Sequence, residues 1–192
     1  MDLTRVSRSL LLAAEPAWFS VHSLRARRIH RSVRDWLAES GSLTARLQAL
    51  AGPIRVRVLY QDWGRVFPGE AAELQMRRSR RVWIREVALE AAGRQLLLAR
   101  TVAPAATVTG WGKRFTCLGT RPLGELLFSL PAVKRVNVAW SCLNPACWLA
   151  FPGPHPRWGR RTLYLTGPDR PLLVSEFFLP AVFALEAGDG LA

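Results

Sequence analysis

From Ser32 onward the apolar positions first follow a helical period. Val33, Trp36 and Leu37 share a face, and after a break at Gly41-Ser42 the residues Leu43, Leu47 and Leu50 repeat at helical spacing. Ser42 is placed to cap the second helix, and Gly52-Pro53 ends the unit. The period then drops to two. IRVRVLYQDW (54–63) alternates as a half-buried strand should, and after a Pro/Gly/Glu-containing connection (66–78) come VWIREVALE (82–90) and RQLLLARTVAP (94–104). The Ala-Ala-Gly between those two runs predicts an antiparallel hairpin. A loop containing Gly110 and Gly112 precedes RPLGELLFSL (121–130), which reads as a short helix with Pro122 at its first position. VKRVNVAW (133–140), RRTLYLTG (160–167) and RPLLVSEFFLP (170–180) complete the strands, the last two joined by a turn at Gly167-Pro168-Asp169. The pattern therefore predicts an α+β fold: one domain over 31–185 with about six mostly antiparallel strands and a few helices. A basic arm is expected over 1–30 and a tail over 186–192.

Length and composition agree with this picture. A chain of 192 residues fits one domain with a substantial core, and 49% hydrophobic against 21% charged residues argues against disorder. The net charge of +13 is unusual. Only Lys113 and Lys134 are lysines, so arginine supplies 25 of the 27 basic residues. Nucleic-acid binding would need those charges clustered on one exposed face. The run RARRIHR (25–31) has no aromatic residues interleaved and reads as a solvated arm instead, so no nucleic-acid partner is expected. Compositional bias, or a field that draws in an anionic substrate, accounts for the charge better. Three cysteines argue for a reducing compartment. The start resembles a signal peptide, but its apolar run stops at Glu15-Pro16, and no stretch approaches a membrane span. A cytoplasmic monomer is the expectation.

The informative positions are ionisable residues set into apolar strand faces. Arg85 alternates with Trp83, Val87 and Leu89; Arg100 with Leu96, Leu98 and Val102; Glu176 with Leu172, Val174 and Phe178. Burying an unpaired charge costs several kcal/mol, so each needs a partner or a ligand. An ion pair inside the sheet and a binding site both satisfy that need, and two arginines to one glutamate lean towards an external anion. The predicted helix starts at Ser42-Leu43 and Arg121-Pro122-Leu123 each offer backbone amides without intrahelical acceptors, which suit a carboxylate. Other chemistry is poorly supported. Cys142 and Cys147 with His155 make an incomplete metal set, GWGKR (110–114) lacks phosphate-loop spacing, and no nucleophile elbow is present. No metal or other cofactor is expected.

Five segments then carry a resemblance. Trp83-Ile84-Arg85-Glu86, Ala99-Arg100-Thr101-Val102-Ala103-Pro104, Leu118-Gly119-Thr120-Arg121-Pro122-Leu123-Gly124, Trp158-Gly159-Arg160-Arg161 and Leu173-Val174-Ser175-Glu176-Phe177-Phe178-Leu179-Pro180 resemble successive motifs of bacterial chorismate lyase (chorismate–pyruvate lyase), in family order across 80–180. The helical unit at 33–50 is similar more loosely. The resemblance implies helices closing an internal pocket over an antiparallel sheet. It also implies cofactor-free conversion of chorismate to 4-hydroxybenzoate and pyruvate, the first committed step towards ubiquinone in many bacteria. By the same resemblance Arg85 and Glu176 are the catalytic residues. Arg85 and the amide of Leu123 bind the ring carboxylate, Glu176 meets the 4-hydroxyl, and the amide of Leu43, where methionine is familiar, belongs to the same site. Arg100 would receive the enolpyruvyl carboxylate. The stretch 129–157 is longer and richer in Trp, Pro and Cys than the family pattern. A non-catalytic aromatic-carboxylate-binding module, like effector domains of some transcription regulators, is the alternative, although no helix-turn-helix is evident.

Overall fold

A computed structural model describes residues 9–111, 113–129, 132–149 and 156–186. His155, the first eight residues of the basic arm and the tail from 187 lie outside them. The described residues form seven strands: β1 (Phe19–Ser20), β2 (Arg55–Gly64), β3 (Val82–Ala91), β4 (Arg94–Pro104), β5 (Lys134–Cys142), β6 (Trp158–Leu165) and β7 (Pro171–Phe178). They pair antiparallel throughout in one sheet of order β1-β5-β6-β7-β4-β3-β2. The six expected strands are all present, and the seventh is the two-residue β1. Phe19 and Ser20 of β1 lie opposite Trp140 and Ala139 of β5.

The helices are α1 (Arg31–Leu37), α2 (Leu43–Ala51), α3 (Pro68–Glu73), α4 (Ala105–Trp111), α5 (Lys113–Thr116), α6 (Leu123–Phe128) and α7 (Pro180–Ala184). Ser42 caps α2 by accepting from the amide of Ala45. Pro122 is the cap of α6 rather than its first residue. Helices α3, α4 and α5 occupy segments whose composition suggests loops. Each is seven residues or shorter, too short to show a helical period, and packing rather than propensity holds them.

Both faces of the sheet are covered, which is why β3, β4 and β7 read as nearly continuous apolar runs rather than clean alternations. On the front face, one cluster gathers Trp36, Leu37, Leu43 and Leu47 against Val87, Leu89, Leu97 and Phe178. A second gathers Trp111, Phe115, Leu123 and Leu127 against Ala103, Tyr164, Leu172 and Val174. On the back face Leu11, Leu12, Phe67, Leu143 and Trp148 cover Ala88, Leu98 and Phe177. Beside them Val66, Ala71 and Leu74 cover Ile84, Val102 and Leu173. The segment expected as a basic arm supplies buried Leu24 and Ile29, with Arg25, Arg27 and Arg28 exposed around them. No helix among the described residues is long and apolar enough to cross a membrane.

Candidate active site

The two front-face clusters do not meet. Between them lies a partly open cavity. The sheet supplies its floor through Val56, Val87, Leu97, Ala99, Thr101 and Val174, and the roof comes from Gly41–Thr44 and from Pro122–Gly124 with Leu127 and Phe128. Three charged side chains enter this largely apolar space: Arg85 from β3, Arg160 from β6 and Glu176 from β7.

Arg85 is 2% exposed, and no carboxylate among the described residues lies within ion-pair distance of it. Its Nη2 donates to the carbonyls of Gly119 (2.8 Å) and Arg121 (3.2 Å), while Nε is buried without a hydrogen-bond partner. Burial pulls its pKa down to about 10, so the group remains a cation at neutral pH, but an imperfectly satisfied one. Among the described residues the other buried arginines, Arg100, Arg160 and Arg161, each have a carboxylate partner.

The turn that serves Arg85 is built from the Leu118–Gly124 motif. Gly119 adopts φ +56°, a left-handed conformation that suits glycine, and Arg121 N–H closes the turn onto Leu118 O at 3.0 Å. Pro122 then starts α6. A Cβ on Gly124 would stand 3.2 Å from Ser42 Oγ, so glycine lets the starts of α2 and α6 approach each other over the cavity. The amides of Leu43 and Leu123 occupy the first turns of those helices and lack intrahelical acceptors.

On the other side of the cavity, Glu176 Oε2 accepts from both Nε (2.9 Å) and Nη2 (2.7 Å) of Arg160. Oε1 has no donor among the described residues. Arg160 Nη1 donates to the Glu39 carbonyl at 2.6 Å, which ties the α1–α2 linker to β6. The two residues are cross-strand partners, so the pairing of β6 with β7 itself orients the carboxylate.

Four of the five expected site residues, Arg85, Glu176, Leu123 and Leu43, thus line one cavity. Arg100 does not. It points through the opposite face, where it is fully buried and bonded to Glu70 (2.7 and 3.1 Å) and Glu86 (2.8 Å). Burial disfavours that cation, but the two carboxylates outweigh burial and raise its pKa. Ser9 Oγ and the Leu10 amide complete Glu86, and Arg161 extends the network to Glu15 and Glu73. Arg100 is thus a structural ion-pair centre, removed from the cavity by strand alternation: its neighbours Ala99 and Thr101 face in, so it faces out. Sequence reasoning also missed Arg160 as a site residue, although it stood in the Trp-Gly-Arg-Arg segment. The signal available was the Gly167-Pro168-Asp169 turn, which sets the register that pairs Arg160 with Glu176.

The result is an antiparallel sheet roofed by short helices over a cavity that carries Arg85, Arg160 and Glu176 between apolar walls. The chain is similar to the effector domain of PhnF from Mycobacterium smegmatis, with a TM-score of 0.52 at 15% identity over 73% of this chain and 90% of that one. A second structure of PhnF aligns with a TM-score of 0.53, also at 15% identity, over 75% of this chain and 66% of that one. These likenesses establish the fold alone.

Sequence comparison is more specific. The model of the chorismate lyase family matches residues 15–187. The chain is 43% identical to a probable chorismate pyruvate-lyase of Methylococcus capsulatus, over 80% of this chain and 98% of the relative. It is 40% identical to another from Aromatoleum aromaticum, over 82% and 90% respectively. The chain belongs to the chorismate lyase family and is accordingly an enzyme of the lyase class.

Proposed function

We propose that this chain converts chorismate to 4-hydroxybenzoate and pyruvate without a cofactor, an early step of ubiquinone biosynthesis. The observation that carries the reading is Arg85, a buried cation with no carboxylate partner among the described residues, facing the same cavity as Glu176. A ring carboxylate placed against Arg85 would satisfy a guanidinium the fold leaves incomplete, and Leu123 and Leu43 would add backbone amides.

The chemistry asks little of the protein. The C4 proton leaves, the C3–O bond breaks with its electron pair going to the ether oxygen, and the ring becomes aromatic. The departing enolpyruvate then takes a proton to give pyruvate. Aromatisation supplies the driving force, so positioning and charge stabilisation in a largely apolar cavity are the enzyme's contribution. In this reading Glu176 engages the 4-hydroxyl through Oε1 while Arg160 fixes Oε2, which sets the ring orientation and the C4–H beside a carboxylate.

Incubating the purified protein with chorismate tests the reading directly. Equimolar 4-hydroxybenzoate and pyruvate are expected, and finding neither overturns it. Tight binding of 4-hydroxybenzoate with no turnover would instead assign a non-catalytic module of the same fold.

A further inference from the structure

We infer that the second carboxylate of the substrate, the one on the enolpyruvyl ether, is held by Arg135 in a recess beside the ring cavity, between the α1–α2 linker and the end of α6. This deepens the chorismate reading and rests on it. A ring bound through Arg85 presents its ether carboxylate at another edge, out of that arginine's reach. A second cation is needed, and Arg100 lies on the far side of the sheet.

Arg135, on β5, is half-buried and has no carboxylate within ion-pair distance among the described residues. Its Nη1 donates to the Glu39 carbonyl at 3.1 Å, the same oxygen that accepts from Arg160 Nη1 at 2.6 Å. Two guanidiniums thus converge on one acceptor, yet only Arg160 is neutralised, by Glu176. Like charges this close repel, and partial burial strengthens the repulsion. A carboxylate entering beside them converts the repulsion into attraction.

The recess is lined by Ser40, Leu127, Phe128, Val133, Arg135 and Tyr164. Leu127, Phe128 and Tyr164 also line the ring cavity, so the two spaces adjoin, and the ether arm of the bound substrate would lie across that boundary. The Arg135 guanidinium carbon sits 5.8 Å from the centroid of the Tyr164 ring, a cation–π contact that holds it over this shared wall. When the C3–O bond breaks, charge grows on the enolate oxygen next to the carboxylate already held there. Arg135 would therefore stabilise the departing group as well as bind it.

Two ligands that do not react separate this subsite from the turnover reading. Benzoate carries the ring carboxylate alone, and 3-(carboxymethoxy)benzoate adds a carboxylate on a C3 ether. The wild-type protein should bind the dicarboxylate more tightly, and Arg135→Met should lose that preference by about 10- to 100-fold, the worth of a charged hydrogen bond, with benzoate affinity unchanged. Arg135→Lys should recover part of it. Unchanged benzoate binding also reports that the variant is folded. Should Arg135→Met be unstable, Arg135→Gln answers the same question. An Arg135 variant that keeps the dicarboxylate preference, or weakens both ligands equally, overturns the subsite. Failure of chorismate turnover in the wild type alone would overturn the proposed reaction and leave these binding results to stand.

Discussion

Arg85 is held by carbonyls rather than by a carboxylate, and its charge is available to a ligand for that reason. With its pKa near 10, it stays protonated through neutral pH, and a bound carboxylate would raise that pKa further. Benzoate affinity should accordingly be flat between pH 6 and 9 and fall only as pH rises through about 10. Calorimetric titration checks this, and a loss of affinity between pH 6 and 8 would show that a group other than Arg85 governs binding. At Glu176, substitution by Gln keeps an oxygen for Arg160 but removes the carboxylate charge. Turnover should fall by about 10²-fold or more while 4-hydroxybenzoate binding persists; equal turnover would remove Glu176 from the mechanism. Both residues were legible in the sequence because period-two alternation on β3 and β7 set a charge among apolar neighbours. The same rule misled at Arg100. A sheet covered on both faces has apolar neighbours on either side, so alternation marks burial without saying which face. The β3–β4 hairpin held the answer, because its register sets Arg100 opposite Glu86.

At the scale of elements, the back-face network makes a separate contribution. Arg100 is the shared partner of two buried carboxylates, Glu70 and Glu86. Arg100→Met would leave both uncompensated and should cost about 3–5 kcal/mol of stability, read by chemical denaturation, with ligand affinity per folded molecule little changed. Adding Glu86→Gln should return part of the loss. The helices around the cavity were less evenly legible than its floor. α2 shows its cap and its repeat in the sequence and α6 its starting proline, whereas α4 and α5, outside the roof, are too short to carry a period. Their positions follow from what they cover, Trp111 and Phe115 packing in one cluster with Tyr164 and Val174, and that is a tertiary fact. Neither could the pattern foresee that Gly124 brings the starts of α2 and α6 together.

For the whole molecule, the net charge of +13 is a long-range property that no single contact explains. A dicarboxylate approaching such a field is accelerated at low ionic strength, and salt shortens the field's reach to about 3 Å at 1 M. The value of kcat/KM for chorismate should fall as sodium chloride rises, and benzoate binding, with one charge, should fall less. A rate indifferent to salt would make the charge a compositional feature only. Charge also guards the sheet margin: β2 is an edge strand, and Arg55 and Arg57 stand exposed along it, which discourages pairing with other chains.

The place of β7 has a further consequence. It is the last strand among the described residues, yet it lies near the middle of the sheet between β4 and β6, and it carries Glu176. A nascent chain on the ribosome can close the β3–β4 hairpin early, but it has no continuous sheet until β7 emerges and joins β6, its hairpin neighbour, to β4, made long before. Partners so distant in sequence make for slow folding, and a chain released short of Pro171 would lack both its central strand and one wall of its active cavity.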